Sequence, residues 1–506
     1  MLDLLAQLPQ ATFDRPPIDW HALAPELVLL GFGVLVTLVD IVFLERGRAM
    51  VSALAGVGLL ATVVPLLTLW NEVDTASPRV LFDGAYVVDR YSLVMKIVFV
   101  LVGYVVILLS TNYIAEGDYW ESEYYGLLLS SIMGMVVMAS ARDLISIFVA
   151  LELLSIPAYL LAAWRKRDPR GNEAGIKYYL MGVFASAVML YGMSLLYGVT
   201  GSTLLTDIAV AVADAPQFDA AIALGIVFVV VGFAFKISAV PFHHWAPDTY
   251  EGAPTPVAGF LAVASKAAGF VALMNLVFVA FPDRHDVYQP LIWVMAVLSM
   301  TVGNLLALRQ TNMVRLLAYS GVAQTGFMLA PLTVAGDPGV SDLALSTTVN
   351  YLAIYAAMNL GAFAVVIALA RKTGSAEIDD LKGAFQYAPG LTVAMTVFLF
   401  SLAGIPPIGG WFAKFNVFRS LAGAETTWAY ILAVIVAVNS VIALYYYASV
   451  ARKMWADEAP DGNLAPVHVP PSLVAALAIT VAVTLVFGFF PGTVGDFTDV
   501  SLLASP

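Results

Sequence analysis

The sequence predicts an all-α polytopic membrane protein with about 14 transmembrane helices. Two inverted five-helix repeats (spans 4–8 and 9–13) and broken helices 7 and 12 complete the prediction. Three observations carry it. Of 506 residues, 60% are hydrophobic and 12% charged, and apolar runs of eighteen or more residues recur along the chain. An open strand cannot satisfy its backbone in lipid, so spanning segments default to helices. Prolines interrupt two of the apolar runs, and each of those runs also carries a lysine.

The spans fall at 25–44, 49–69, 88–111, 123–140, 143–164, 173–198, 219–241, 255–281, 290–308, 312–331, 343–370, 387–420, 426–451 and 471–490. The loops between them orient the chain. Arg46, Arg48, Arg165, Lys166, Arg167, Arg170, Arg309, Arg315, Arg371, Lys372, Lys382, Arg452 and Lys453 fall on one side; Arg15, Arg79, Arg90, Arg142, Arg284 and Arg419 fall on the other. Thirteen against six places the first group in the cytoplasm and both termini outside. An even span count agrees. The first residues, MLDLLAQLPQATFDRPP, lack a basic n-region, so no cleavable signal or transit peptide is expected.

A repeat is expected in the middle of the chain. Span five reads RDLISIFVALELLS from Arg142 and span ten reads RLLAYSGVAQTGFM from Arg315, which sets Glu152 against Thr325, beside Gln324. Spans seven and twelve are both broken by proline and both contain a lysine. The expected units are 1–122 (helices 1–3), 123–281 (first repeat), 290–455 (second repeat) and 456–506 (helix 14). Span four leaves the cytoplasm and span nine enters it, so the repeats are inverted, a pattern of ion-pathway proteins.

Composition removes several function classes. No basic cluster is large enough for nucleic acid, and the net charge of −12 sits in loops. With no cysteine, disulfides, iron–sulfur clusters and thiolate metal sites are excluded. The five histidines include no pair within two facing spans, which argues against haem ligation.

What remains is charge inside the apolar runs. Glu152 lies in span five, Lys177 about one turn into span six, Lys236 in span seven, Lys266 in span eight and Lys414 in span twelve. A charge at membrane depth costs about 2.5–3.5 kcal/mol on insertion scales, so its default reading is functional. Pro157 follows Glu152 by five residues, and Pro241 follows Lys236 by five. A helical proline leaves the carbonyl four residues earlier without its donor. The freed carbonyls are those of Leu153 and Ile237, and Pro406 and Pro407 free Leu402 and Ala403. Such carbonyls must bond water or side chains.

Burial favours the neutral amine of a lysine and a nearby carboxylate favours the ammonium. A buried lysine whose acid approaches and retreats can therefore carry protons. Glu152 is the expected partner of Lys236 or Lys177, with Lys266, His243 and Lys414 continuing the relay. The structural alternative for Glu152, Lys236 and Lys266 is a static buried pair that fixes helix packing. Lys96 reads as snorkelling at the interface, as Lys177 also could. His244 reads as a packing residue, Asp248 and Glu251 as solvated or capping, and Tyr445, Tyr446 and Tyr447 as an interfacial belt.

Five stretches carry a family resemblance: LELLSIPAYLL, IKYYLMGVFASAVMLYGMSLLYG, FKISAVPFHHWAPDTYEGAPTPVAGFLAVASK, RLLAYSGVAQTGFM and GIPPIGGWFAKF. Through them the chain, over roughly 25–490, resembles the subunit N family of antiporter-like membrane subunits of proton-pumping NADH–quinone oxidoreductase, respiratory complex I. The resemblance implies a membrane-arm subunit that conducts protons in response to quinone reduction elsewhere in the complex. By position, Glu152 and Lys236 look like the family's glutamate–lysine pair, Lys266 its central-axis lysine and Lys414 its terminal lysine near the outlet. Lys177 and His243 match further polar-axis positions. Members often have histidine in span ten where this chain has Gln324, which cannot titrate. The resemblance also implies a translocase subunit with no redox centre of its own. NAD, FMN, iron–sulfur clusters and quinone belong to other subunits. The expected partners are other membrane-arm subunits, including neighbouring antiporter-like ones, and the expected setting is the bacterial inner membrane. Two alternatives remain at this point: a subunit of a multi-subunit sodium–proton antiporter, and a scaffold subunit whose charges are only structural.

Overall fold

The computed structural model describes residues 18–43, 48–73, 77–117, 121–213, 216–460 and 462–502. The predicted absence of an N-terminal signal, Arg15 and Arg46 lie outside the described residues. Among these residues the chain is helical apart from one two-stranded hairpin, β1 (Arg79–Leu81) and β2 (Tyr86–Val88). Twelve helices are long and apolar enough to cross a membrane.

Helices α1 (Ala24–Phe43), α2 (Arg48–Glu72) and α3 (Arg90–Ala115) come first. They are followed by α4 (Glu121–Ser140), α5 (Leu144–Ala162), α6 (Pro169–Thr200), the short α7 (Leu205–Ala213) and α8 (Asp219–Lys236). A short half-helix, α9 (Trp245–Gly252), precedes the continuous helix α10 (Thr255–Ala280). Helices α11 (His285–Ala307), α12 (Met313–Leu329) and α13 (Ser341–Thr373) lead to a second broken pair, α14 (Pro389–Ala403) and α15 (Gly409–Gly423). The bundle closes with α16 (Thr427–Ala456) and α17 (Pro471–Phe489). Of the expected spans, the tenth (α12, 17 residues) and the two halves of the twelfth (15 residues each) fall short of the twelve long helices.

Helices α10 and α13 form the centre, their apolar windows wholly buried, whereas most of α1, α6 and α16 faces outward. Small residues make this possible: Gly259, Ala262, Ala264, Ala267, Ala268, Gly269 and Ala272 let neighbours approach α10 closely. Two glycines mark crossings where backbone meets backbone closely. A Cβ on Gly134 of α4 would lie 2.5 Å from the Leu154 nitrogen of α5, and one on Gly303 of α11 would lie 2.6 Å from the Ala323 nitrogen of α12.

The same backbone pattern occurs twice. Leu144 N–H donates to the Thr203 carbonyl (2.9 Å) and Leu205 N–H to that of Arg142 (3.0 Å). Later, Met313 N–H donates to Ala376 (2.8 Å) and Ile378 N–H to Thr311 (2.7 Å). Gly201 and Gly374, both left-handed, close α6 and α13. At the two breaks, Ala239 N–H reaches back to Ala234 (2.8 Å) and Ile405 N–H to Phe400 (3.0 Å), with Ser238 and Gly404 left-handed. These matches pair Leu144 with Met313, and hence Glu152 with Gly321 rather than with Thr325 as alignment on the arginines suggested. That alignment was off by about one helical turn.

The arginine-rich loops meet at one end of the bundle. Arg371 pairs with Glu116 (2.6 Å), Lys453 with Asp379 (2.9 Å) and Lys372 Nζ donates to the Asn463 carbonyl (2.7 Å). The arginine-poor end holds the hairpin, Arg142 paired with Asp89 (2.8 Å) and Arg284 paired with Asp219 (2.7 Å).

Candidate functional site

Lys236 is the last residue of α8, not a mid-helix residue. Proline disfavours the helical conformation at the residue before it and lacks an N–H, so Pro241 stops the helix ahead of itself. The ammonium donates to Ser155 Oγ (2.8 Å) and Tyr178 OH (3.2 Å) and is buried. Tyr178 in turn stacks on Trp245 of α9, with centroids 4.4 Å apart. The freed carbonyl of Ile237 accepts from Thr325 Oγ1 (2.8 Å).

Glu152 is half-buried and accepts from Ser186 Oγ (2.6 Å). The expected contact with Lys236 is thus replaced by Ser155, one turn further along α5. The alternative contact with Lys177 is also absent. Lys177, 41% exposed, pairs instead with Glu173 (2.6 Å) and with Asp248 of α9 (2.7 Å). Asp248 also pairs with Arg315 (3.0 Å), which pairs with Glu251 (2.7 Å). Asp248 and Glu251 are therefore neither merely solvated nor capping; they tie α6, α9 and α12 together.

Lys266 lies in α10 between two π-helical turns, Leu261–Ser265 and Leu276–Ala280. Such turns loosen the backbone ladder and recur at functional sites. Its ammonium donates to the Gly321 carbonyl (2.6 Å), and Tyr355, bonded to Asn359 (3.0 Å), lies beside it. Lys414 sits on the second half of its broken pair. It donates to the Ala403 carbonyl (2.9 Å) and lies 4.4 Å above the Phe327 ring. By the backbone match its counterpart is Asp248, and the counterpart of Lys236 is Leu402, so the two lysines do not occupy matching places.

Gln324 is wholly buried. It donates to the Leu402 carbonyl (3.1 Å) and accepts from Tyr351 OH (2.5 Å). Tyr447 OH, 3.4 Å away, bonds Ser320 Oγ (2.5 Å). Three of the carbonyls expected to be freed by proline, those of Ile237, Leu402 and Ala403, thus take side-chain donors. His243 is buried with its Nδ1 unpartnered, its ring 4.3 Å from that of exposed His244.

Two further readings of the sequence fail. Lys96 does not snorkel: it is wholly buried and pairs with Glu26 (2.8 Å). Tyr445 is 71% exposed, but Tyr446 and Tyr447 belong to the interior network rather than to a belt. The signal for Lys96 was present in the sequence, since Glu26 is an opposite charge at the start of the first apolar run. No signal pointed to the tyrosines, whose partners lie more than a hundred residues away.

Lys236, Lys266 and Lys414 share one feature: each donates to neutral oxygens, and none forms an ion pair among the described residues. Polar links run between them, through Thr325 and Gly321 from the α8 break to Lys266, and through Gln324 and Leu402 toward Lys414. No three histidine, aspartate or glutamate side chains gather as metal ligands among the described residues. A cavity of about 1110 Å³ opens at the arginine-rich end, lined by Trp164, Arg165, Glu251, Asn312 and Arg371, and reaches Thr255 at the start of α10.

The family described as "NADH:quinone oxidoreductase/Mrp antiporter, TM" matches residues 141–442. The chain is 43% identical to NADH-quinone oxidoreductase subunit N 1 of Koribacter versatilis, over 94% of this chain and 93% of that one. It superposes on a chain of respiratory complex I from Thermus thermophilus with a TM-score of 0.76 and 31% identity, covering 94% of this chain and all of that one. A chain of the Mrp complex from Dietzia sp. shares the fold at 21% identity, with a TM-score of 0.78 over 95% of this chain and 97% of that one. A half-buried glutamate, three buried lysines and two broken helices therefore stand in a chain that belongs to the NADH-quinone oxidoreductase subunit N family of antiporter-like membrane proteins.

Proposed function

We propose that this chain conducts protons across the membrane as a membrane-arm subunit of a proton-translocating NADH–quinone oxidoreductase. One observation carries the reading: three lysines are buried at membrane depth and held only by hydroxyl and carbonyl oxygens. A carboxylate contact favours the ammonium, whereas neutral oxygens leave the amine freer to give up a proton and regain it. Glu152, Lys236, Lys266 and Lys414 are the carriers, with Lys177 and His243 at the margins of the path. Gln324 passes no proton by titration but orients the tyrosines between Lys266 and Lys414. Protons reach Lys266 from the cavity at the arginine-rich end, which is the cytoplasmic side, so both termini lie outside the cell membrane of a bacterium. Helices α4–α10 and α11–α16 are the two inverted units, flanked by α1–α3 and α17; the doubled backbone pattern supports this division. NADH, flavin, iron–sulfur clusters and quinone act on other subunits, and neighbouring antiporter-like subunits contact this one.

Lys266→Met, in the assembled complex, tests the reading. Quinone-linked proton uptake by membrane vesicles falls severalfold while the subunit is still incorporated. Native uptake from an incorporated Lys266→Met chain overturns the proposal. Sodium transport by the chain without redox partners would move it to the antiporter class.

A further inference from the structure

Lys96 of α3 is a fourth wholly buried lysine, and it lies away from the line formed by the other three. Its Nζ is 2.8 Å from Glu26 Oε1 on α1 and donates to Tyr86 OH at 3.1 Å. Tyr86 OH donates to the same Glu26 oxygen at 2.5 Å, while Glu26 Oε2 is buried without a partner. Glu26 stands in the first turn of its helix and keeps 8% exposure, whereas Lys96 keeps none. The group is therefore graded from a sealed amine to a carboxylate near the surface of the arginine-poor end.

Polar atoms also lead inward from it. Tyr86 pairs through the backbone with Ala141, and the Ala141 carbonyl accepts from Asn275 Nδ2 (3.2 Å) on α10. Asn275 lies on the same helix as Lys266, about 13 Å further along at the helical rise. Its Oδ1 is unpartnered, and so is Ser140 Oγ next to Ala141; both are buried. Tyr91 of α3 bonds the Val271 carbonyl of α10 (3.1 Å), holding the two helices together between these points. Other charges at this end pair among themselves, Arg142 with Asp89, Arg284 with Asp219 and Arg79 with Asp19.

We propose that Lys96 and Glu26 form a proton outlet branching from α10 to the arginine-poor face. The inference rests on the proton-conducting reading above. In each cycle the Lys96 ammonium passes a proton to Glu26, giving an amine and a neutral carboxylic acid. The proton sits on Oε1, and once the carboxyl group turns, Glu26 releases it to water outside. The amine is reprotonated from the α10 side, past Ser140 and Asn275, so one proton enters and one leaves. Buried polar atoms without partners along this strip are the places where ordered water bonds.

The competing role is a static pair that fastens α1 to α3. Lys96→Arg separates the two, because a guanidinium keeps the charge and the pair but does not release a proton. In the assembled complex in vesicles, Lys96→Arg and the uncharged double variant Glu26→Gln/Lys96→Met are expected to lower proton uptake per quinone reduced severalfold. Native uptake in either one overturns the outlet, and the arginine variant, which keeps the fastening pair, separates the two roles. If the double variant fails to assemble, the arginine variant alone decides. Lys266→Met is measured in parallel. Native uptake there sinks the proton-conducting reading itself, whereas loss there with native uptake in Lys96→Arg sinks only the branch.

Discussion

At the break between α8 and α9 the lysine ends the first half-helix, and two hydroxyls hold its ammonium. At the break between α14 and α15 the lysine sits on the second half-helix, and a backbone carbonyl holds it. The backbone path through the two breaks is the same, down to the left-handed residue and the N–H that reaches back five positions. The chemistry at the two breaks thus differs where the backbone path does not. Glu152 has a counterpart without a side chain, Gly321, whose carbonyl receives Lys266. Ser155, which receives Lys236, has Gln324 as its counterpart. The lysine at the first break meets rotatable hydroxyls; the lysine at the second meets a backbone carbonyl. The partners of Lys236 can be changed by turning a side chain, whereas the carbonyl that holds Lys414 moves only with the backbone.

The largest expected effect is from the lysines themselves. Lys236→Met and Lys414→Met should each lower proton uptake severalfold, with the chain still incorporated; a native rate in either one would show that its half of the comparison has no bearing on conduction. Gln324→Leu comes next. It leaves the Leu402 carbonyl and Tyr351 hydroxyl without partners in the core, at about 1–3 kcal/mol for each buried unsatisfied group. A clear drop in thermal stability of the purified subunit or complex is expected, larger than that for Ser155→Ala, whose partner Lys236 keeps Tyr178. Equal drops would erase the distinction between fixed and rotatable partners.

The smallest effect lies at the surface. Hydrogen bonds from Lys453, then from Lys382, hold the Asp379 carboxyl below its ordinary value of 3.8. A carboxyl with a depressed folded value stabilises above its unfolded value, and that gain is lost as the pH falls through the folded one. Asp379→Asn should lower the melting temperature slightly at neutral pH, and the difference should fade as the pH falls below the ordinary value of 3.8 and shrink with salt. A difference that persists in acid would mean the side chain acts by shape rather than by charge.

Much of this was legible beforehand because it depends on composition or on local rules. Long apolar runs force helices in lipid, proline breaks the helix at Pro241 and at Pro406–Pro407 although the break also expected at Pro157 is absent from continuous α5, and a lysine in such a run has no cheap place to go. The helical membrane architecture and the broken segments around Pro241 and Pro406–Pro407 followed from those rules, and the family from the resemblance carried by five motif stretches. Partners did not follow. The sequence offered Glu152 to Lys236, and the fold interposed Ser155. It left Lys177 and Asp248 as separate residues seventy positions apart, and the fold joined them. It sent Lys96 to the interface and Tyr447 to a belt, and the fold enclosed both. The physical reason is the same in each case. A run of residues states what must leave water, but only the meeting of distant helices supplies the oxygen that a buried ammonium or hydroxyl binds.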